Sequence, residues 1–490
     1  MNLKNKLYIC CGLMGIFSLC GCNASKEKNG AEEDTSKPNI VYILADDLGY
    51  GDLSCYGQEK FQTPNIDRLA ANGMKFTQHY SGSSVCAPSR STLLTGEDTG
   101  HTPIRGNMEV MPEGQNPIPA EAVTLAEVLK TAGYTTGAFG KWGLGYPGSE
   151  GDPNNQGFDE FYGYNCQRMA HRYYPPYLWH NQEKIHMAGN DWQNTVTYAH
   201  DEIQKAVFQF LENNKDTSFF AFVPFALPHA ELISPDDSIL ATCKGRFEEK
   251  PYTASEGGDY GPDLEIWKYC SQPTPRAMYM AMVTRMDAYV GQIVSKLEEL
   301  GIADNTIIMF ASDNGPHDEG GGDPEFFKSS GKFRGIKRDL YEGGIRCPFI
   351  TVWPGKIKQG TVSDHISAFW DVLPTLAEIT GAKLSSPIDG ISMLPTLLQK
   401  DEQKEHDYLY WEFHEKGGRL AVRMGDWKGV IYNVSKHGKF ELYNLSEDPS
   451  ERNDIAEDHP DIVAKIKEIM KNARTESDIF KFQMSTLVGN

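Results

Sequence analysis

Lysine and arginine are scarce: 47 stand against 67 aspartates and glutamates in 490 residues, a net charge of −20 at pH 7. A duplex-binding face needs many cations to displace counterions from phosphate, so nucleic acid is excluded as a partner. Beyond the opening segment no run is long and apolar enough to span a bilayer, which takes about 20 residues. Cysteine is sparse as well. Of ten, Cys10, Cys11, Cys20 and Cys22 lie in that opening segment. The other six, Cys55, Cys86, Cys166, Cys243, Cys270 and Cys347, resemble no zinc site in their spacing, and a core this size needs no disulfide staple. No internal repeat is visible. Hydrophobic and charged fractions of 40% and 23% exclude disorder, coiled coil and collagen for the chain as a whole. Glycine and proline, 47 and 27, are spread rather than clustered, which suits a loop-rich enzyme.

The first segment reads as an address. Lys4 and Lys6 precede an apolar run from Leu7 to Leu19, too short to span a membrane and flanked as a secretory signal is. Leu19-Cys20-Gly21-Cys22 resembles the lipobox of bacterial lipoproteins, which implies cleavage before Cys22 and lipid attachment there. The expected organisation is a signal peptide over 1–21 and a flexible polar tether over 22–38. A catalytic domain over 39–398 and a C-terminal subdomain over 399–490 follow. The expected location is exported and membrane-anchored, periplasmic or on the cell surface.

From residue 39 short apolar runs alternate with helical patterns, which indicates βαβ units and a mainly parallel sheet. Ile40–Leu44, Thr135–Phe139, Phe219–Val223 and Thr306–Phe310 are apolar throughout, as strands covered on both faces are. In Ala277–Leu300, apolar residues from Tyr279 to Leu300 recur at spacings of three and four, the period of a helix. After Leu398, Asp407–Phe413, Arg419–Arg423, Trp427–Ile431 and Phe440–Tyr443 read as an antiparallel meander closed by a helix through Ile462, Ile466 and Ile469. The fold class is therefore α/β with a small α+β appendage.

Polar residues stand just beyond each buried strand: Asp46 and Asp47, Lys141, His229, and Asp313 with Asn314. Open α/β sheets bind ligands outside the carboxyl ends of their strands, so these segments are expected to share one crevice. Three carboxylates brought together need a counter-charge. A hard divalent cation supplies it, and oxygen donors favour calcium or magnesium over zinc. Cys86 opens Cys-Ala-Pro-Ser-Arg, where Pro88 suits a first helical turn and Arg90 lies one turn on. By itself a cysteine beside an arginine reads as a buried or mildly acidified thiol.

Cys86-x-Pro-Ser-Arg followed by Leu93-Leu-Thr-Gly96 resembles the signature of type I sulfatases, whose cysteine is converted to Cα-formylglycine. Asn39–Asp47 and Ser312–Gly315 are similar to that family's two metal segments, and Gly133–Trp142 to its second signature. The resemblance implies an alkaline-phosphatase-like fold and a maturation enzyme that modifies Cys86. It also implies calcium held by Asp46, Asp47, Asp313 and Asn314, with the modified Cys86 as a further ligand. Arg90, Lys141 and Lys337 would neutralise the transferring sulfuryl group, and His229 would protonate the leaving oxygen. The family usually has histidine after Gly-Lys-Trp. Here that position is Gly143, and His171 is the candidate replacement. Arg168, Arg172, Trp179, Arg334, Glu412 and His414 are candidates for binding a sugar. The function implied is hydrolysis of a galactose or N-acetylgalactosamine sulfate at O6 or O4. A phosphodiesterase or phosphonate monoester hydrolase of the same fold, and a non-catalytic glycan-binding lipoprotein, are the alternatives.

Overall fold

The computed structural model describes residues 37–385 and 387–482; the signal, Cys22 and most of the tether lie outside them. The large part contains β1 (Asn39–Ala45), β2 (Met74–Tyr80), a hairpin of β3 (Glu109–Val110) and β4 (Gly114–Gln115), β5 (Thr135–Lys141) and β6 (Glu160–Tyr164). It continues with β7 (Tyr177–His180), β8 (Glu183–His186), β9 (Phe219–Pro224), β10 (Thr306–Ser312), β11 (Arg346–Val352), β12 (Thr361–Ser363) and β13 (Ser367–Ala368). One sheet runs in the order β12-β2-β11-β10-β1-β9-β5-β6-β7-β8, with β13 also on β2. Its centre, from β10 through β1, β9 and β5 to β6, is parallel, and antiparallel strands flank it. All four predicted strands form, each reaching one or two residues further at its carboxyl end.

Alternate strand residues enter opposite layers. Val41, Ile43, Ala221 and Phe310 pack against Ile203 and Phe210 of the Ala199–Asn214 helix and Met286 and Ile293 of the Pro275–Glu299 helix. Tyr42, Leu44, Phe222 and Met309 meet Leu93 of the Cys86–Thr95 helix, Leu129 and Leu376 on the other side. Burial on both faces explains why these strands read as unbroken apolar runs. No helix among the described residues is long and apolar enough to cross a membrane.

The C-terminal part is an antiparallel sheet of β14 (Leu409–Phe413), β15 (Arg419–Met424), β16 (Trp427–Tyr432) and β17 (Phe440–Asn444), with a helix over Pro460–Asn472. Leu409, Trp411 and Phe413 share a face, as the alternation predicts. They join Tyr80, Val85, Ile345 and Trp370 of the large part in one core. Tyr410 faces the other way, with Ile466 and Met470 of the closing helix.

That packing corrects the reading of Glu412. Its side is covered by the residues around the closing helix and is closed to the crevice. Its carboxylate is fully buried and bound by Arg105 at 3.2 Å, His414 at 2.9 Å, Arg474 at 2.8 Å and the Tyr410 hydroxyl at 2.8 Å. With four partners inside the protein it has nothing left to offer a sugar. His414 is committed to Glu412 and packs on Phe480 and Phe482.

Candidate active site

The carboxyl ends of β1 and β10 lie side by side, because their registers pair Ala45 with Ser312. The Asp313 amide donates to the Ala45 carbonyl at 3.0 Å, and the Asp47 amide to Asp313 Oδ1 at 3.1 Å. Asp47 holds a left-handed φ of 61°, and Asn314 Nδ2 donates to its Oδ1 at 2.7 Å. The Cys86–Thr95 helix is buried along its whole length, with Cys86 as its first residue. The site therefore lies at the positive end of the helix dipole, a favourable place for an anion. Ser89 fixes the helix to β10 by donating to the Asp313 carbonyl at 2.5 Å.

Cys86 Sγ is 3.3 Å from Asp46 Oδ1 and 3.4 Å from Lys141 Nζ. Lys141 also bonds Asp46 Oδ2 at 2.6 Å, and Arg90 pairs with Asp313 at 2.8 Å. On the other side Lys337 Nζ reaches Asp47 at 2.8 Å, His229 Nε2 at 2.9 Å and Glu319 at 3.0 Å. His229 Nδ1 contacts the Ala230 carbonyl, which can only accept. In the neutral ring Nε2 is then left to accept from the Lys337 ammonium. The His171 ring stacks on that of His229, 4.5 Å between centroids and 11° between planes. Cys86, Arg90, Lys141, Lys337, His229 and His171 are thus brought together from separate stretches of chain.

Charge is balanced by opposed groups. Burial alone would raise Asp46, but Lys141 and Arg90 hold it below the usual carboxylate range; Lys337 does the same for Asp47. Asp313 is pushed up to about 7 by burial and by the charge of Asp46, against the pull of Arg90. Burial, with Asp46 adding to it, keeps the Cys86 thiol protonated, and a protonated thiol is a poor nucleophile. Burial and the nearby lysines lower His171 to about 3.

A hard cation fits this donor set. Asp46, Asp47, Asp313 and Asn314 are fully buried, and Asn314 Oδ1 has no hydrogen-bond partner. One donor atom from each of Asp46, Asp47, Cys86 and His229 lies within 4.8 Å of the others. Crowded carboxylate oxygens beside an unsatisfied amide oxygen suit calcium or magnesium.

Glu319, Arg338 and Tyr269 belong to the same cluster and carry no sequence motif. Glu319 accepts from Tyr269 at 3.0 Å and pairs with Arg338 at 2.7 Å. Burial would raise its carboxyl, but Lys337 and Arg338 hold it far below the usual range. At Gly143, φ is +81° and a Cβ would lie 2.9 Å from the Gln167 side chain. The space a larger residue would need is taken by Gln167, and its Nε2 is buried without a partner.

Other sugar-binding candidates lie elsewhere. Arg172 is fully buried against Glu231 at 2.5 Å and the carbonyls of Gly258 and Glu265 at 2.9 Å. It braces a loop and cannot contact a substrate directly, which corrects that expectation. Arg334 stacks on Tyr341 and bonds the Tyr443 hydroxyl at 3.1 Å, tying the two parts of the chain together. Trp179 Nε1 donates to Glu113 at 2.9 Å. Arg168 alone of these stands one helical turn from His171. All six cysteines from Cys55 to Cys347 are free thiols.

The sulfatase family profile matches residues 38–382. The chain belongs to the sulfatase family. It is a sulfuric ester hydrolase of the alkaline-phosphatase-like fold. A second profile, that of the N-sulphoglucosamine sulphohydrolase C-terminal region, matches residues 332–476. The N-acetylgalactosamine-6-O-sulfatase of Bacteroides thetaiotaomicron is 32% identical over 523 residues, covering 94% of this chain and 98% of that protein. Human arylsulfatase A is 31% identical over 492 residues, covering 88% and 87%. The solved structure of Ps i-CgsB in complex with k-i-k-neocarrahexaose matches with a TM-score of 0.72 at 27% identity, covering 89% of this chain and 93% of that one.

Proposed function

We propose that this sulfatase removes a sulfate ester from a carbohydrate, a galactose or N-acetylgalactosamine sulfated at O6 or O4, with position 86 in its formylglycine form. The observation that carries the reading is the setting of Cys86. It stands at the start of a buried helix within 3.4 Å of Lys141 and 3.3 Å of Asp46, with Arg90 on the next turn. The named activity of the Bacteroides relative and the saccharide bound by Ps i-CgsB support the carbohydrate half.

In the formylglycine form, residue 86 supplies a hydrated aldehyde whose hydroxyl can attack sulfur. A calcium ion held by Asp46, Asp47, Asp313 and Asn314 would polarise the sulfate oxygens. The chain's own cations do the rest. Lys141 and Arg90 flank position 86, and Lys337 approaches from the opposite wall; together they offset charge on the sulfuryl oxygens as the ester bond breaks. A sugar alkoxide is a poor leaving group and needs a proton. The pair of Lys337 Nζ and His229 Nε2, 2.9 Å apart, holds one where it is needed. Glu319 and Asp47 keep Lys337 charged and oriented.

We also read the protein as an exported lipoprotein anchored through Cys22, on the strength of Lys4, Lys6 and the Leu19–Cys22 motif. One peptide map with a substrate panel tests these readings. The Cys86 peptide should have lost its sulfur, and the mature chain should begin at a lipidated Cys22. The purified enzyme should desulfate at least one sulfated galactose or N-acetylgalactosamine and prefer aryl sulfate to aryl phosphate. An intact Cys86 thiol in active protein would overturn the nucleophile, and preference for the phosphate would point to a phosphonate or phosphodiester hydrolase.

A further inference from the structure

Among the described residues Trp267 is the only tryptophan more than half exposed, at 51%. Its loop is held rigidly. Arg172 donates to the Gly258 and Glu265 carbonyls at 2.9 Å, Tyr260 donates to Glu231 at 2.5 Å, and the Ser271 amide donates to Asp259 at 2.6 Å. Two residues on, Tyr269 lies 5.5 Å from the His171 ring and 6.3 Å from that of His229. The loop thus places Tyr269 against the catalytic wall and Trp267 outside it.

Arg168, on the short Gln167–Ala170 helix that leads into His171, has its guanidinium 5.4 Å from the Trp267 ring centroid. Across from it Met111, 69% exposed, lies between the two strands of the β3–β4 hairpin, with its sulfur 3.1 Å from Arg168 Nη1. Glu109 pairs with the same guanidinium. Glu109, Met111, Arg168 and Trp267 line a cavity of 340 Å³. Arg168 is nine-tenths buried, and its Nε has no partner.

The chemistry of this cavity suits a sugar ring and not a second sulfate. Glu109 already neutralises the guanidinium, so the net attraction for an anion is small. An exposed indole and an exposed thioether present apolar surface of the kind that lies against the face of a sugar ring. Arg168 stands one turn before His171 and Trp267 two residues before Tyr269, and both of those rings pack toward His229, so the cavity borders the catalytic wall. We propose that Trp267, with Met111 and Arg168, binds the sugar next to the sulfated residue, so that the enzyme is built for an oligosaccharide chain. The proposal rests on the carbohydrate reading above and adds to it where the second ring sits.

The test compares three substrates on wild type and Trp267→Ala: the sulfated monosaccharide selected by the panel, a trisaccharide ending in the same residue, and 4-methylumbelliferyl sulfate. Trp267→Ala should raise KM for the trisaccharide about tenfold or more and leave kcat alone, the signature of lost uniform binding. Monosaccharide and aryl sulfate turnover should stay within about twofold, which also shows the site intact. Trp267→Phe should restore most of the trisaccharide affinity, and Met111→Ala should weaken it in the same direction. An unchanged trisaccharide KM, or an equal change on all three substrates, would overturn the platform alone. A wild-type enzyme active on aryl sulfate but on no sugar sulfate would remove the carbohydrate reading and the platform with it.

Discussion

His229 and His171 form a stacked pair in which only one ring touches the lysine that carries the proton. Lys337 donates to His229 Nε2, whereas His171 contributes a flat face at 4.5 Å and a buried, unpartnered Nδ1. If the pair delivers the leaving-group proton, its value depends on the leaving group. An aryl oxide departs unaided, but a sugar alkoxide does not. His229→Ala should therefore lower kcat on a sugar sulfate by roughly 10²-fold or more and spare the aryl sulfate by comparison. His171→Ala should show the same dependence at smaller size, up to about 10²-fold, because it loses the positioning and not the acid. Equal defects on both substrates would take His229 out of the acid role. Asp46, Asp47, Lys141 and Asp313 were legible in the sequence because each stands at or just past the carboxyl end of a buried strand. Cys86 and Lys337 were not; resemblance to a family supplied them. Glu319 and Tyr269 sit in loops whose course no periodicity fixes, so only the folded arrangement brings them to Lys337.

Secondary structure was read best where burial is uniform. The strands β1, β5, β9 and β10 are apolar on both faces and stand out from their surroundings. By contrast β2 mixes Lys75, Thr77, Gln78 and His79 into its run, and β11 contains Pro348, which normally argues against a strand. The structure accommodates that proline at a shift of register between Cys347 and Phe349. Along β14 strict alternation sends Glu412 to the side opposite Trp411, but alternation does not tell what covers that side, and here the closing helix does, which removes Glu412 from the sugar-binding candidates. Its true setting makes a prediction. Burial would raise Glu412, but His414, Arg474 and Arg105 hold it down to about 2, against an ordinary 4.5. A carboxyl lowered in the folded state stabilises above its unfolded pKa and loses that contribution as pH falls through the folded one. The window is therefore about pH 4.5 down to 2, and the shift corresponds to about 3 kcal/mol. Glu412→Gln should be less stable at neutral pH, and its melting temperature should fall less steeply than wild type between pH 4.5 and 3. Parallel slopes for the two proteins would show that the network does not hold Glu412 ionised.

The molecule carries a net charge of −20, yet its active site gathers three buried cations, Arg90, Lys141 and Lys337, and the same place concentrates Asp46, Asp47 and Asp313. These carboxylates end β1 and β10, neighbours at the centre of the sheet, so repulsion between them acts on the middle of the fold. A cation bound there would join the two strand ends and favour the native state by mass action, by about 2.7 kcal/mol at a hundred times its dissociation constant. Exhaustive chelation should lower the melting temperature, and added calcium should raise it again with the logarithm of its concentration. Asp313→Asn keeps the shape of the side chain but removes one charge. It should bring the chelated protein's melting temperature closer to that of the calcium-loaded form and flatten the calcium dependence. The melting readout separates the cation's hold on the sheet from any part it takes in turnover. A melting temperature unmoved by chelation, or an Asp313→Asn variant that responds to calcium as wild type does, would show that the strand ends of β1 and β10 do not hold the ion.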